Sequence, residues 1–474
     1  MPTLWTPEEI AEATGAPLPQ GAGPVLGVSI DSRTLEPGDL FVAIRGDTHD
    51  GHAHVAAALE AGAAGALVDR AGLATLGAVA GPLYVVEETL AGLCDLARAA
   101  RARSQGKIVA VTGSVGKTGT KEALRTVLSH AGETHASDKS YNNHWGVPLS
   151  LARLPKKAAF GVFEIGMNHA GEITPLVALV RPHAAIVTTV QPVHLEFFDG
   201  LAGIAEAKAE IFSGLVEEGV AVINGDIEFA GLLAERARAA GAGQVLTFGE
   251  GANNDAVLKR VALLPDCSTA EAVIDGVAVA FKVGMPGRHV VLNALAVLTT
   301  VKALGVDLAR AALALATLTA PEGRGRRIEL ATHGEPILLI DESYNANPAS
   351  MRAALDVLAA APTGLRGRRI AVLGDMLELG AESAAFHAGL AEPISTAGVD
   401  RAYLAGESMR FLWRALPAAI RGAHTLRSAE LVDALLGELA PGDVVVVKGS
   451  AGSRMGLIVE ALRARYAKPS GSPN

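Results

Sequence analysis

The stretch "VTGSVGKTGT", residues 111–120, follows a short apolar run and precedes a segment whose spacing predicts a helix. Gly116, Lys117 and Thr118 match the right half of the phosphate-loop pattern G-x-x-x-x-G-K-[ST], but Val111 stands where the pattern has its first glycine. A strand, a Gly-rich turn and a helix N-terminus together surround an anion with backbone amides. The stretch therefore predicts a shortened phosphate loop. The alternative is a tight strand-to-helix turn with an incidental lysine.

The composition predicts an α/β protein of several domains. The chain has 474 residues, more than one ordinary core needs, so two to four domains are expected. Half of the residues are hydrophobic but only 4% are aromatic, so the cores must consist mainly of Ala, Val, Leu and Ile. Together with 53 glycines, this composition is typical of alternating strands and helices joined by tight turns.

Charge, cysteines and hydropathy narrow the classes of partner. The net charge of -9 offers no basic surface, so no nucleic-acid partner is expected. Cys94 and Cys267 are too far apart in the sequence for a metal-spaced set, and a reducing compartment is the simplest interpretation. The N-terminus lacks the basic and apolar segments of a secretion signal, and no run of 18 apolar residues occurs. We therefore predict a cytoplasmic protein without membrane insertion.

Three blocks of strand-helix pattern divide the chain, and we place them at residues 1–86, 87–318 and 319–466, with a disordered tail at 467–474. In the second block, "AAFGVFEIG", "AAIVTTV" and "GVAVING" are continuous apolar strands, which are typical of a parallel sheet covered by helices on both faces. The third block repeats the pattern, and polar residues follow its clearest strands. Open α/β sheets bind ligands at that carboxyl edge.

A nucleotide-using enzyme also needs a carboxylate near the metal. Glu164 ends an apolar strand of the second block and can hold Mg²⁺ directly or through water. The alternative for Glu164 is an ordinary acid at a strand end. No N-K-x-D motif follows the loop, which disfavours a GTPase switch.

Lys208 lies on the apolar stripe of a predicted helix. The stripe recurs at helical spacing: Leu201, Ile204, Ile211 and Leu215. Burial there would lower the pKa of Lys208, and the neutral amine is the form that reacts with carbon dioxide to give an anionic carbamate, a metal ligand. His194 could then supply a neutral nitrogen to the same metal. The alternative is a lysine stem that lies at the edge of the stripe with its ammonium in water.

The third block contains two clusters of polar residues at predicted strand ends. One follows "LLID" and the other lies in the Gly-rich turn "KGSAGSR", and such a turn suits a ligand carboxylate or phosphate, although either can be only a turn. Arg324, Arg326 and Arg327, between the blocks, are a phosphate clamp or a solvated linker. The cluster residues are Asp341, Glu342, Tyr344, Asn345 and Asn347, then Lys448, Ser450 and Arg454.

Taken together, these motifs resemble the Mur ligase family over nearly the whole chain. The matching segments are "DSRTLEPGDLFVAIRGDTHDGH", "TGSVGKTGTKE", "NNHWGVPLSL", "EIGMNHAGEI", "GRHVVLNALA", "DESYNANPASM", "VLGDMLELG" and "KGSAGSRM". The family's shortened T-G-x-x-G-K-T loop accounts for the missing first glycine. The resemblance implies an N-terminal UDP-sugar-binding domain, a central parallel-sheet P-loop ATPase domain and a C-terminal Rossmann-like domain.

The resemblance also implies roles for individual residues. Lys117, His194 and Lys208 would be catalytic, with Lys208 carbamylated. ATP would be bound by Gly113, Ser114, Val115, Gly116, Lys117, Thr118, Gly119, Asn293, Arg324 and Glu342. Two Mg²⁺ would be held by Thr118, Glu164, His194 and Lys208. The UDP substrate would contact Ser29, Asp31, Ser32, Arg33, Asn142 and Asn143, and the incoming amine substrate Tyr344, Asn345, Asn347, Lys448, Ser450 and Arg454.

"YNANP" with "VLGDMLELG" points to one activity within the family: the ATP-dependent joining of D-alanyl-D-alanine to UDP-N-acetylmuramoyl-tripeptide through an acyl phosphate, by a monomer. A related folylpolyglutamate synthase, or an ATP-driven switch without ligation, remains the alternative. The chain departs from the family's pattern at four positions: Val115, Gly119, Val290 and Glu342. Of these, Glu342 matters most, because its extra methylene relative to the family's Asp lies where a ribose contact is expected.

Overall fold

A computed structural model of the chain describes residues 2–46, 49–77, 79–138 and 140–467. Among these residues the chain forms three mainly parallel sheets in sequence order, each covered by helices, so the predicted α/β class is confirmed. No helix in these ranges is long and apolar enough to cross a bilayer. Of the predicted tail at 467–474, residues 468–474 lie outside the described residues.

The first sheet has four parallel strands in the order β1-β2-β3-β4. A buried Trp5 donates its indole N–H to the carbonyl of Ala152, which ties this part of the chain to the central one. The elements are α1 (Pro7–Thr14), β1 (Gly27–Ser29), β2 (Asp39–Val42), α2 (Val55–Glu60), β3 (Gly65–Asp69), α3 (Arg70–Leu73), β4 (Leu83–Val86) and α4 (Thr89–Arg103).

The central sheet has nine strands in the order β13-β12-β11-β10-β9-β8-β5-β7-β6. Its strands are β5 (Lys107–Thr112), β6 (Thr134–Ala136), β7 (Phe160–Glu164), β8 (Ala184–Val187), β9 (Val220–Asn224), β10 (Gln244–Gly249), β11 (Ala256–Leu263), β12 (Ser268–Ile274) and β13 (Val277–Val283). Its helices are α5 (Lys117–Ser129), α6 (Gly146–Ala152), α7 (Ile173–Val180), α8 (Leu201–Ala209), α9 (Ala230–Ala239), α10 (Arg288–Ala303) and α11 (Leu308–Ala314). Strands β5, β7, β8 and β9 are buried along almost their whole length, as the continuous apolar runs predict.

Two antiparallel strands extend the central sheet, which the expectation of a wholly parallel sheet did not include. β12 pairs antiparallel with both β11 and β13. Asp275 and Gly276 form the β12–β13 turn with φ of 46° and 75°, and a D-G pair between alternating apolar strands favours this kind of hairpin. The D-G pair therefore indicates the hairpin in the sequence, whereas the continuous apolar runs of the other strands indicate only a parallel sheet.

The third sheet has six strands in the order β14-β15-β19-β16-β17-β18, all parallel except β14. Its strands are β14 (Arg326–Leu330), β15 (Ile337–Glu342), β16 (Arg369–Gly374), β17 (Arg401–Ala405), β18 (Arg421–Thr425) and β19 (Val444–Lys448). Its helices are α12 (Pro348–Ala360), α13 (Ser383–Ala388), α14 (Ala391–Thr396), α15 (Met409–Ala415), α16 (Val432–Glu438) and α17 (Gly456–Arg465). Separate apolar clusters pack on its two faces.

Candidate active site

The phosphate loop joins β5 to α5 at the middle of the central sheet. Gly113 has φ of 145°, and a Cβ there would lie 1.9 Å from Oγ1 of Thr188. Gly116 has φ of 88°, and a Cβ there would lie 2.7 Å from Nδ2 of Asn293. Both positions therefore require glycine, because a side chain would collide with a neighbour as well as strain the backbone. The carbonyl of Val115 accepts a 2.5 Å hydrogen bond from Thr188, which holds the loop from the adjacent strand end.

Glu164 lies beside this loop because β5 and β7 are neighbours. Their register pairs Val111 with Glu164, so the carboxylate falls next to the start of α5. Thr118 donates its hydroxyl proton to Oε2 of Glu164 at 2.8 Å, and the Asn142 amide donates to Oε1 at 2.7 Å. Glu164 is buried, yet these two donors satisfy its carboxylate. The Thr118 hydroxyl and the Glu164 carboxylate thus meet at one point, held there by the Asn142 N–H, and hydroxyl and carboxylate oxygens are ligands that Mg²⁺ prefers.

Lys117 turns back over the loop that precedes it. Its ammonium donates to the carbonyl of Gly113 at 2.7 Å and approaches that of Ser114 at 3.5 Å. Burial lowers the pKa of Lys117, while the negative charge of Glu164 opposes that shift. The ammonium therefore lies against the backbone of the phosphate loop, where a bound anion would give it a charged partner.

Lys208 is buried in α8 with only 2% of its surface exposed, which excludes the alternative of a stem with its ammonium in water. Burial, reinforced by the positive charge of Lys117, holds the pKa of Lys208 well below its usual range. None of the described residues forms a hydrogen bond or ion pair with its side chain. The predicted long helix ends early: α8 stops at Ala209, one residue after Lys208, and a 3₁₀ turn over Glu210–Gly214 continues the chain.

His194 lies at the edge of the same group of charges. Burial lowers its pKa, the Glu378 carboxylate opposes this, and the charges of Lys117 and Lys208 add to the lowering. The side chains of Lys117, His194 and Lys208 therefore lie close enough to affect one another, with Glu164 as the acid nearest the loop. The described residues contain no group of three or more His, Cys, Asp or Glu side chains that could hold a metal ion.

A cavity of about 640 Å³ opens in front of the loop, between the central and third sheets. The central part contributes all of the loop from Ser114 to Gly119, together with Asn142, Glu164, His194 and Asn293. The third part contributes Arg324, Glu342, Tyr344, Asn345, Asn347 and Lys448. Residues predicted from separate blocks therefore face one common cavity.

Arg324 and Lys448 are fixed on the third-sheet side of this cavity. The guanidinium of Arg324 lies 4.0 Å from the centre of the Tyr344 ring and donates to the Ser140 hydroxyl at 3.2 Å. Lys448 is buried and forms a 3.2 Å ion pair with Glu342. Arg326 and Arg327 do not line the cavity, so of the three arginines only Arg324 is placed to meet a phosphate.

Other predicted residues lie away from the cavity. Ser29 donates its hydroxyl to the carbonyl of Asp31, and Asp31 forms a bidentate pair with the exposed Arg33. This segment, which also contains Ser32, follows β1 at the carboxyl end of the first sheet. These residues belong to a different surface from the loop.

Three further candidates do not line the cavity, and the side chains of two of them bond to the backbone. Asn143 caps the start of α6 by accepting from the Gly146 amide at 2.9 Å. The buried Ser450 accepts from the Leu377 amide at 3.0 Å. Arg454 is exposed in a left-handed turn with φ of 52° and does not line the cavity. Local hydrogen bonding accounts for the side chains of Asn143 and Ser450.

The cavity also contains polar residues that sequence reasoning missed. Ser140 lies between Thr118 and Arg324, and Gln191 and His289 line the wall. His289 precedes Asn293 by four positions in α10, so the two lie on one helix face, and that spacing was a usable signal. Ser140 had no comparable signal, because its partners come from distant parts of the chain.

Models of three Mur ligase domains match this chain along its length. They are described as the Mur ligase family catalytic domain at residues 24–101, the Mur ligase middle domain at 111–301 and the Mur ligase glutamate ligase domain at 326–451. The phosphate loop, Glu164, His194 and Lys208 fall within the second, and Glu342 and Lys448 within the third. The chain belongs to the Mur ligase family.

Within that family, the chain is similar over nearly its whole length to a D-alanyl-D-alanine ligase and to solved MurF structures. The chain is 37% identical to the UDP-N-acetylmuramoyl-tripeptide--D-alanyl-D-alanine ligase of Escherichia coli K12, over 94% of this chain and 95% of that protein. It is similar to the crystal structure of MurF from Acinetobacter baumannii, with a TM-score of 0.82 and 30% identity over 97% and 99% of the two chains. The MurF ligase of Thermotoga maritima in complex with ADP matches with a TM-score of 0.76 and 27% identity, over 93% and 97%.

Proposed function

We propose that this protein is an ATP-dependent ligase that joins D-alanyl-D-alanine to the terminal carboxylate of UDP-N-acetylmuramoyl-tripeptide, a step in the synthesis of peptidoglycan precursors. The observation that carries the proposal is the single cavity in which a phosphate loop with Glu164 faces the polar strand ends of the third sheet. The near full-length identity to ligases of that name supports the choice of substrates. ATP as the nucleotide is supported by the ADP complex of the related ligase.

The reaction has two chemical steps. A carboxylate oxygen of the tripeptide attacks the γ-phosphorus of ATP, ADP leaves, and an acyl phosphate forms. The amine nitrogen of D-alanyl-D-alanine then attacks the acyl carbon, loses a proton, and the tetrahedral intermediate collapses to the amide with release of phosphate. Activation is needed because a carboxylate is a poor electrophile, and holding the two substrates together in one cavity favours the reaction between them.

The loop and its neighbours are suited to neutralising the charge of that reaction. The backbone amides between Gly113 and Gly116 and the ammonium of Lys117 would bind the transferred phosphoryl group. Thr118 and Glu164 would hold one Mg²⁺, and His194 with carbamylated Lys208 a second. Bound Mg²⁺ would supply positive charge at the phosphate oxygens. The fit rests on the Thr118 hydroxyl and the Glu164 carboxylate, which already lie together, and on the buried amine of Lys208, which lacks an anionic partner among the described residues.

The carbamate on Lys208 follows from its environment. A neutral amine nitrogen attacks carbon dioxide, one N–H proton is released, and the residue becomes an anion. That change replaces a buried amine that has no partner among the described residues with a carboxylate-like group next to the positive charge of Lys117 and the ring of His194. The same burial that makes the ammonium costly therefore favours the modified form.

Substrate contacts away from the loop complete the proposal. ATP would be contacted by Ser114, Val115, Gly119, Asn293, Arg324 and Glu342. The UDP end of the substrate would lie near Ser29, Asp31, Ser32 and Arg33. Its reacting end would lie near Asn142 and Asn143. The amine substrate would meet Tyr344, Asn345, Asn347, Lys448, Ser450 and Arg454. We further propose domains at 1–86, 87–318 and 319–466, a monomer, and location in the cytoplasm.

The deciding experiment measures phosphate release from ATP with each substrate omitted in turn. A ligase of this kind should release phosphate only when both UDP-N-acetylmuramoyl-tripeptide and D-alanyl-D-alanine are present, with one amide formed per ATP. Hydrolysis that is independent of the substrates would identify an ATP-driven switch. Activity with folate and glutamate in place of these substrates would identify the folylpolyglutamate synthase alternative.

A further inference from the structure

A contact between two parts of the chain lies at one edge of the cavity. Nδ1 of His194, on the central part, lies 2.5 Å from Oε2 of Glu378, on the third part. The two residues are 184 positions apart in the sequence. A carboxylate can only accept hydrogen bonds, so Nδ1 must carry the proton that the two groups share. The other ring nitrogen, Nε2, is then free to face a ligand.

Both residues have an unusual backbone. His194 has φ of 57° and Glu378 has φ of 61°, although neither is glycine. Left-handed residues of this kind cost conformational energy and are found where the surrounding structure holds a side chain in one direction. The contact therefore joins two strained positions that face each other across the gap between the central and third parts.

The backbone amides of the segment that ends in Glu378 are held one after another. The amide of Asp375 donates to the carbonyl of Ala405 at 3.1 Å, and that of Met376 donates to Nε2 of the buried His387 at 3.0 Å. The next amide, that of Leu377, donates to the Ser450 hydroxyl at 3.0 Å.

The side chain of Asp375 adds two more bonds. Its carboxylate accepts from the amides of Ser408 and Met409 at 3.2 and 2.8 Å. The segment 375–378 is therefore a rigid arm that presents Glu378 to the central part.

We propose that Glu378 is a positioning residue: from the third part of the chain it fixes the tautomer and direction of the His194 ring, so that Nε2 is held ready as a metal ligand. Carboxylates that hold the second nitrogen of a ligating histidine raise its affinity for metal. The segment 375–378 lies within "VLGDMLELG", and the proposal gives this stretch a role in the mechanism that its side chains otherwise lack. The inference rests on the proposed role of His194.

The tautomer of His194 tests the contact directly. In ¹⁵N-histidine-labelled full-length protein, with the His194 signals assigned by loss in His194→Gln, the wild type should show protonated Nδ1 and unprotonated Nε2. Glu378→Ala should shift His194 toward a mixture of tautomers. Glu378→Gln should keep the wild-type pattern, because the amide oxygen still accepts from Nδ1. Glu382→Ala, which removes an exposed carboxylate four residues away, is the matched control and should change nothing.

Mn²⁺ binding, followed by electron paramagnetic resonance in bicarbonate buffer, tests the consequence for the metal. Glu378→Ala should weaken binding about 10-fold or more, as loss of such a partner does elsewhere, and Glu378→Gln should recover most of it. A wild type with protonated Nε2, or a Glu378→Ala variant with unchanged tautomer and affinity, would overturn the inference. If His194→Gln binds Mn²⁺ as the wild type does, the proposed ligand role of His194 fails, while the tautomer result still decides the contact.

Discussion

The hydroxyl of Thr118 donates a 2.8 Å hydrogen bond to the carboxylate of Glu164, which joins the first turn of α5 to the end of β7. The two residues are 46 positions apart and meet because β5 and β7 are neighbours in the sheet. Both are buried, at 4% and 1% exposure. The pair fixes the distance between the phosphate loop and the only buried acid among the described residues that line the cavity.

Glu164→Gln should abolish most of the activity and leave the fold intact. The amide keeps the size of the side chain but removes the negative charge, and loss of several kcal/mol of metal-assisted stabilisation corresponds to at least about a 100-fold fall in kcat. The measurement is phosphate release with both substrates present, beside a thermal melt. The exposed Glu133→Gln is the control and should keep full activity; a fully active Glu164→Gln enzyme would remove this residue from the mechanism.

Lys208→Ala should lose activity and regain part of it with formate or acetate. A small carboxylate can enter the space left by the side chain and replace the anion that the carbamate provides. The same salts added to the wild type are the control and should have no activating effect. Activity of the variant without added carboxylate would contradict the proposed role of Lys208.

Lys208→Met should raise the free energy of unfolding in buffer depleted of carbon dioxide, because an unpaired ammonium is buried in the wild type. The pKa of Lys208 is lower in the folded protein than the value of about 10.4 in the unfolded chain. Between these two pKa values the unfolded chain binds more protons than the folded protein. The free energy of unfolding of the wild type therefore rises with pH in this window, by up to about 1.4 kcal/mol per pH unit. The advantage of the Met variant should therefore shrink as the pH rises. Denaturant unfolding at several pH values measures it, and an advantage that is constant with pH would show that Lys208 has an ordinary pKa.

Gly119→Thr should leave kcat within about twofold and raise stability by about 0.3 kcal/mol, since Thr has the better helix propensity. A Cβ at Gly119 meets no atom within 4 Å, so the family's usual Thr has room in this chain. Gly116→Ala is the contrasting variant: its Cβ would strain a left-handed residue and press on Asn293, and the KM for ATP should rise sharply. Steady-state kinetics and thermal melts compare the two. A large loss in Gly119→Thr would show that the rim of the loop needs its glycine.

Arg324→Lys should raise the KM for ATP about tenfold. The planar guanidinium stacks on Tyr344 and donates to Ser140, and a lysine ammonium cannot make both contacts. A loss of about 1.4 kcal/mol of binding free energy corresponds to the tenfold rise in KM. Arg326→Lys, two positions away and exposed at the start of β14, is the matched control. Equal KM values for the two variants would place Arg324 outside the nucleotide site.

Local sequence was sufficient for the loop and for the class of fold. Gly113, Gly116 and Lys117 lie within five residues of one another, so their geometry depends on short-range sterics that a pattern can capture. The apolar runs identified β5, β7, β8 and β9, because a strand buried on both faces needs apolar residues throughout. The D-G turn at Asp275 was an equally local signal that was overlooked.

Only the tertiary structure decided which polar residues share the cavity. The sequence left Lys208 either buried or with its ammonium in water, and burial depends on how α8 packs, not on its spacing alone. Asn143 and Ser450 had the right chemistry and position, yet their side chains hold backbone amides. The contact of His194 with Glu378 joins two parts of the chain whose relative placement no local pattern encodes. The sequence therefore determined which chemical group each residue carries, whereas long-range packing determined which residues each group contacts.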